Sequence, residues 1–504
     1  MRGALSGHAP ERRVPPKSRD RVAIAVHFGV WIVIALVGIS WSGPMDGSAA
    51  APVASPLLLP EAGLAAADPL TTGSWSTLSE PVAPPPRGEG TFTWATFGGK
   101  QVGVLFGGRG NFSALDNDTW LFQNGSWHPL NLPVHPTARR GAMAAFDPVD
   151  GYVVLFGGSS LNAYENDTWV FNGTAWSQLT PAHPPPARRV GGFAFDAADG
   201  YLLLFSGHNG TSLGVNANFT TIDDTWKFLH GRWTELFPSV QPLGRSEPSE
   251  IYDPAVGSIV VFGGYTTQPS YLAYNDLWTF RAGTWTPVSL TTAPSPRDGA
   301  PMAFDPAVGA AVLEGGQNES GNLSTLELND TWVLEGTSVA NLSWDPVTVA
   351  TRLLPADSGA MVFDPDLGTV VVFGGHSGDH GVVWYNSTAA FVFPYSVNGT
   401  ANPTPGGSPL SFNFTSSTFG GLGPFSYHWN FGDSAISMHA NPLHVYAKRG
   451  NYTVWLNTTD SLGSRAMAEF NLTAYRRLVA TLNESAATIK NGSSVDLTVS
   501  TRGG

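Results

Sequence analysis

Between residues 73 and 394 the apolar positions fall into short continuous runs closed by glycine, and the runs repeat. GYVVLFGG (151–158) recurs as QVGVLFGG (101–108), GYLLLFSG (200–207), GSIVVFGG (257–264), GAAVLEGG (309–316) and GTVVVFGG (368–375), six copies in all. A continuous apolar run bounded by turn residues predicts a strand buried on both faces. Ahead of five copies stands a turn, FDPVDG, FDAADG, YDPAVG, FDPAVG or FDPDLG, closed by glycine and in four of the five carrying a proline that fixes φ. Behind them come NDTW (117–120, 166–169, 329–332), DDTW (223–226) and NDLW (275–278), then a trailing tryptophan at 127, 176, 233, 285 and 344. Each unit therefore reads as four strands, a to d. One such sheet cannot bury its own faces, but six arranged around an axis can, which predicts an all-β, six-bladed β-propeller over 73–394.

The sixth unit breaks the pattern. NSTAAF (386–391) replaces NDTWLF and no trailing tryptophan follows, whereas Trp75-Ser76-Thr77-Leu78 stands ahead of the first unit. Residues 74–79 are expected to supply the missing strand d and close the ring, removing two exposed sheet edges. The glycine pairs, the ND[TL]W motif and the trailing tryptophan resemble the kelch family, including its galactose-oxidase-type propellers. That resemblance implies a propeller. It does not carry over the galactose-oxidase copper centre, whose tyrosine is cross-linked to a cysteine, because this chain has no cysteine.

Residues 395–475 change character. YHWNFGDS (427–434) and HVYAKRGNYTVWLNTTDSLGS (444–464) resemble the PKD domain, an immunoglobulin-like β-sandwich. Trp429, Phe431, Gly432 and Asp433 match its W-x-F-G-D motif; His444, Tyr446, Gly450, Tyr452, Val454, Leu456 and Asp460 match the rest. The tail GSSVDLTVSTRGG (492–504) echoes GSPLSFNFTSSTFGG (407–421), so 476–504 reads as the truncated start of a second PKD-like domain.

The N-terminus sets the expected compartment. Residues 1–21 are basic, with Arg2, Arg12, Arg13, Lys17, Arg19 and Arg21, and 22–41 carry no charge. Twenty apolar residues match a bilayer core of roughly 30 Å, and the flanking cations belong on the cytoplasmic side. The segment is a signal peptide or an uncleaved transmembrane anchor; its length favours the anchor, and membrane attachment follows if it stays uncleaved. Residues 45–72, rich in Ala and Pro, form a linker. An extracellular or cell-surface location also agrees with Asn usage: 19 of 26 Asn begin an N-x-[ST] sequon.

Composition narrows function by exclusion. Lys plus Arg total 26 against 39 Asp plus Glu, for a net charge of −13, so no nucleic-acid partner is expected. Without cysteine there are no disulfides, thiolate metal sites or cysteine nucleophiles. No catalytic constellation, metal set or cofactor is read from the chain. The repeated Asp118, Asp167, Asp224, Asp276 and Asp330, and Arg139, Arg188, Arg245 and Arg297, occur unit after unit and are assigned structural roles. Glu314, which interrupts a strand b, is the one odd carboxylate.

Binding residues are expected where long loops sit on a rigid scaffold, on the face of the b–c and d–a connections. Unit three carries the longest b–c loop, 208–222, with His208 and Asn209. Unit four adds Tyr265 and Tyr271, and unit six His376 and Trp384. These six form the candidate binding set, with His208 and His376 on opposite sides of the axis, and Asp379 and His380 in a loop. The expected function is extracytoplasmic, non-catalytic binding of a glycan or protein ligand; the alternative is a secreted enzyme acting on polysaccharide or glycoconjugates with the PKD domain as spacer.

Overall fold

A computed structural model describes residues 69–502 apart from 112–113, 211–218, 269, 320–324, 379–382, 405–409, 475–478 and 482–499. The 22–41 apolar segment, the basic N-terminus, nearly all of the linker, Asp379 and His380 lie outside the described residues. Among the described residues no helix is long and apolar enough to cross a membrane.

Each repeat unit forms four antiparallel strands in the order a-b-c-d. In unit two these are Met143–Asp147, Tyr152–Phe156, Thr168–Phe171 and Trp176–Leu179. Strand b is the apolar run, and its Val153, Val154, Leu155 and Phe156 are all buried. The a–b turn is held by its aspartate: Asp147 Oδ1 accepts from the Val149 N–H at 2.9 Å, and Gly151 takes φ 75°. Asp196, Asp253, Asp305 and Asp364 repeat that Asx turn.

Unit six draws its d strand from the other end of the chain. Thr72–Thr77 pairs antiparallel with Thr388–Val392, Trp75 opposite Phe391. Thr72 and Gly73 also pair in parallel with Thr348 and Val349, so units five and six merge into one eight-stranded sheet. The strand starts two residues before the expected 74, and Leu70, assigned to the linker by composition, is buried in the core. The strands a lie side by side: Thr91–Phe97 beside Met143–Asp147, then Gly192–Asp196, Ser249–Asp253, Met302–Asp305 and Ala360–Asp364, which lies beside Thr91–Phe97.

The trailing tryptophans join one unit to the one before. Trp127 Nε1 donates to Thr388 Oγ1 at 2.8 Å, Trp176 to Thr119 at 2.9 Å, Trp233 to Thr168 at 3.0 Å, Trp285 to Thr225 at 3.1 Å and Trp75 to Thr331 at 3.1 Å. In four of the five the acceptor is the threonine of the [ND]DTW motif; for Trp127 it is the counterpart in unit six, Thr388. Where the motif reads NDLW that position is Leu277, and the buried Trp344 Nε1 has no partner among the described residues. The rings of Trp127, Trp176, Trp233, Trp285 and Trp344 also pack on the phenylalanine that ends strand b of the preceding unit, as Trp176 does on Phe106 at 5.3 Å; Trp75 meets Glu314 at that position.

Residues 396–474 form two sheets, Ser396–Pro403, Ser411–Phe419 and Leu443–Val445 in one, and Ile436–Ser437, Ser426–Asn430, Gly450–Thr459 and Arg465–Ala474 in the other. Phe412, Phe414, Trp429, Phe431, Tyr446, Val454 and Leu456 fill the space between them. Leu422 leaves this domain to pack with Leu367 and Val371 of unit six, and the Gly423 N–H donates to the Leu367 carbonyl at 2.8 Å. Of 476–504, only Val479–Thr481 and Ser500–Arg502 are described, as a paired ladder.

Candidate functional site

The polypeptide makes a closed hydrogen-bonded ring where the six strands a begin. The Gly141 N–H donates to the Glu89 carbonyl, Val190 to Gly141, Glu247 to Val190, Gly299 to Glu247, Ser358 to Gly299 and Glu89 to Ser358, at 2.8 to 3.2 Å. All six residues have positive φ, from 47° at Val190 to 62° at Gly299. For the β-branched Val190 this conformation is strained, and such strain persists only where surroundings enforce it. Beneath the ring is a cavity of about 250 Å³ lined by Glu89, Phe92, Met143, Phe193, Glu247 and Glu250 among others.

A second ring lies beside it. The residue after each glycine pair bridges to a residue at the start of strand a: Arg109 with Gly88, Ser159 with Arg140, His208 with Arg189, Tyr265 with Ser246, Gln317 with Asp298, and His376 with Asp357. The charges are segregated. Units one to three contribute Arg109, Arg140 and Arg189; units four to six contribute Glu247, Asp298 and Asp357. Glu89 lies among the cations, 3.0 Å from Arg140 and hydrogen-bonded to Arg189. Burial would raise its carboxyl, but Arg189, Arg140, His376 and Arg109 together hold it down at about 2. Glu247 goes the other way, to about 7, because burial and the neighbouring Glu89 charge outweigh Arg189. Burial and Glu247 push Asp298 well up, and burial raises Asp357 against the pull of His376. Buried carboxyls displaced in opposite directions within one cleft make this the candidate site.

Five of the six sequence-derived residues fall in two groups. His208, Tyr265 and Tyr271 form one chain of rings through Phe219: His208 stacks on Phe219 at 4.1 Å, Phe219 meets Tyr265 at 5.8 Å, and Tyr265 meets Tyr271 at 5.2 Å. His376 and Trp384 form the other, 4.6 Å apart, with the Arg109 guanidinium 5.5 Å from the Trp384 ring. His208 does not reach solvent. It is wholly buried, contacts Ser246 Oγ at 2.7 Å and accepts from Arg189 Nε at 3.0 Å. Burial and the two nearby arginines push its pKa well down, so it is a neutral buttress for Arg189 rather than a contact residue. Asn209 pairs opposite Thr220 on the flanking ladder. Tyr271 donates to Asp298 at 2.6 Å, and His376 lies 2.8 Å from Asp357, whose bond raises the imidazole against burial.

The 208–222 connection also differs from expectation. His208–Gly210 and Phe219–Thr221 pair as a hairpin rather than an open loop, and units four, five and six carry similar ladders. Among the described residues no group of three His, Asp or Glu could hold a metal ion. Arg140, Arg189, Glu89, Glu247, Asp298 and Asp357 escaped the sequence reading. Their signal was legible: the one or two residues after each repeated arginine vary from unit to unit.

Residues 68–239 match the KLHDC2/KLHL20/DRC7 Kelch-repeats domain, and residues 393–474 match the PKD domain. The chain carries kelch repeats and a PKD domain. The kelch match covers the units that supply Arg109, Arg140 and Arg189. Among curated proteins, the chain is 48% identical over 48 residues to Collagenase ColA of Bacillus cereus (strain ATCC 14579), and 42% identical over 48 residues to Collagenase ColQ1 of Bacillus cereus (strain Q1). Each match covers 10% of this chain and 5% of the relative, so the chain spans about a twentieth of the length of these collagenases. The likeness lies in the PKD region.

Proposed function

We propose that this kelch–PKD chain is an extracytoplasmic recognition protein, a six-bladed propeller that binds a protein or glycan ligand at its axial mouth without a cofactor. The observation carrying this reading is the mouth itself. Three guanidinium groups face three carboxyls around a strained backbone ring, and their identities vary by unit while the scaffold repeats. Guanidinium donors on one side and titratable carboxyls on the other favour a protein segment over a neutral glycan, since complementary charge gives specificity and speeds encounter. The uncharged 22–41 segment after a basic leader and the density of sequons support the exterior location.

The second reading, a secreted enzyme on polysaccharide or glycoconjugates with the PKD domain as spacer, draws on the collagenase likeness, which does not reach the kelch part. One experiment separates the two. The full chain is screened on a glycan array and a library of mixed-charge peptides, alongside Arg140→Ala and Asp298→Ala. Binding to mixed-charge peptides, weakened about tenfold or more by either change and by added salt, is expected. Binding indifferent to both substitutions but lost with residues 395–475 refutes the axial mouth as the site.

A further inference from the structure

Five of the six units bury the same triad. Arg139, 1% exposed, makes a fork-to-fork pair with Asp167 at 2.5 and 2.8 Å, and Trp169 Nε1 donates to the same carboxylate at 2.7 Å. The guanidinium also donates to the first carbonyl of the glycine pair, Gly157, at 2.8 Å and to the carbonyl of Thr137, two residues upstream, at 3.0 Å. Arg87–Asp118–Trp120, Arg188–Asp224–Trp226, Arg245–Asp276–Trp278 and Arg297–Asp330–Trp332 repeat this arrangement.

Unit six has lost all three side chains together. Ala356 stands for the arginine, Ser387 for the aspartate and Ala389 for the tryptophan. In their place is a cavity of about 270 Å³ whose wall includes Ala356, Ser387 and Ala389. Its polar lining combines backbone carbonyls and the Glu314 carboxylate with the hydroxyls of Thr77, Ser387 and Tyr385. The Leu354 and Gly374 carbonyls occupy the positions that take the guanidinium's bonds elsewhere, and no described side chain donates to either. Glu314 adds a carboxylate from unit five, where the other units carry phenylalanine. Its Oε2 accepts from Trp75 at 3.1 Å and Thr331 at 2.5 Å, while among the described residues Oε1 accepts nothing. Tyr385 also lines the cavity; its counterpart in unit four, Tyr274, lies under the Arg245 guanidinium at 4.4 Å. Arg352 stands at the cavity wall, but its Nη1 donates outward to the Asn329 carbonyl at 3.2 Å.

We infer that this cavity is a binding site for a guanidinium group carried on a short apolar tail, which replaces the missing arginine. A planar donor fork answers the two carbonyls and the Glu314 carboxylate, the tail fills the volume vacated by the tryptophan, and the Tyr385 ring offers a cation–π face. Leu354, 66% exposed, marks the open side. Burial raises the Glu314 carboxyl to about 7, so an incoming cation also supplies the charge that makes its ionisation favourable. The cavity shares Pro301 and Gly359 with the one beneath the ring, but Glu314, Ala356 and Ser387 belong to it alone, so its failure leaves the reading of the axial mouth untouched.

Calorimetry on the full chain tests it with n-butylguanidinium, n-butylurea as the neutral isostere and butyrate as the anion. Saturable one-to-one binding of butylguanidinium is expected, with butylurea and butyrate at least tenfold weaker. Glu314→Gln, which keeps the shape, should weaken binding about tenfold. Ala356→Arg, which builds the guanidinium into the chain as in the other five units, should abolish it; a melting temperature at or above that of the parent shows that this variant folds. An arginine-centred hexapeptide tells the two sources apart: tighter binding than butylguanidinium marks an arginine side chain of a protein partner, weaker binding a free small molecule. No saturation by butylguanidinium up to about 10 mM, a free energy below roughly 3 kcal/mol, overturns the proposal. So does binding unchanged in both variants.

Discussion

The unpartnered indole of Trp344 offers a direct measure of what holds one unit to the next. Five trailing tryptophans donate to a threonine of the preceding unit; Trp344 meets Leu277 and donates to nothing described. The perturbation is Leu277→Thr, alone and in a Trp344→Phe background. By itself Leu277→Thr mixes two effects. It removes buried methyl groups, because Leu277 is 1% exposed, costing about 1 to 3 kcal/mol. It also supplies the missing acceptor, worth about 1 kcal/mol as a hydrogen bond and up to about 3 kcal/mol if a buried N–H is thereby relieved. The single variant could come out with either sign.

A double-mutant cycle separates the two. Apolar loss at 277 is common to both backgrounds and cancels, while the hydrogen bond exists only where the Leu277→Thr change is made with Trp344 still in place. A favourable coupling of about 1 to 3 kcal/mol is expected, read from urea unfolding followed by tryptophan fluorescence. Coupling within about 0.3 kcal/mol of zero, the scatter of additive sites, would refute the claim that this bond links the units. The converse control is Trp176→Phe, which removes a bond that is present and should cost more than Trp344→Phe by a similar amount.

Two further outcomes follow from the buried charges. Asp167→Ala leaves Arg139 buried without its counter-ion and should cost about 3 kcal/mol in urea unfolding; an unchanged midpoint would show that solvent at the 19% exposed Asp167 already screens the pair. Burial raises Glu314 from 4.5 to about 7, so its contribution to stability is fully present below about pH 4.5 and is lost as pH climbs through 7. Glu314→Gln should therefore reduce the fall in stability between pH 5 and pH 8 by roughly 3 kcal/mol, and an identical pH profile in the two proteins would contradict the assignment.

The repeat was legible because an apolar run closed by two glycines has few other uses, and six copies aligned with one another. Closure by Trp75 was legible for the same reason: a trailing tryptophan missing at one end and present at the other has one place to go. The Arg–Asp pairing was half legible. Both series recur, but the partners are 28 residues apart in Arg139–Asp167 and 36 in Arg188–Asp224, and sequence gives no reason to join them across an intervening strand b. The axial mouth was missed because attention went to loop length and to residue types that stack on sugars. His208 looked like a ligand-facing histidine and is a buried one, since the ladder His208–Gly210 folds back over it and Phe219 covers its ring.

Unit six shows how an irregular repeat should be weighed. Loss of the NDTW motif there coincides with the strand d borrowed from the N-terminus. Borrowing a strand directly explains the missing trailing tryptophan. It does not require Ala356 in place of arginine, because that residue stands ahead of strand a and takes no part in the pairing of Thr72–Thr77 with Thr388–Val392. Nor does it require glutamate at 314, which belongs to unit five and has its strand intact. Three truncations and one added carboxylate converge on a single volume, although 314 and 389 are 75 positions apart (389 − 314) in the chain. Degeneration by chance would leave an arginine without its aspartate, or the reverse, at a cost of several kcal/mol for the orphaned charge. Removing the pair whole avoids that cost, and leaving acceptors facing the space it occupied is what a site for an external cation needs.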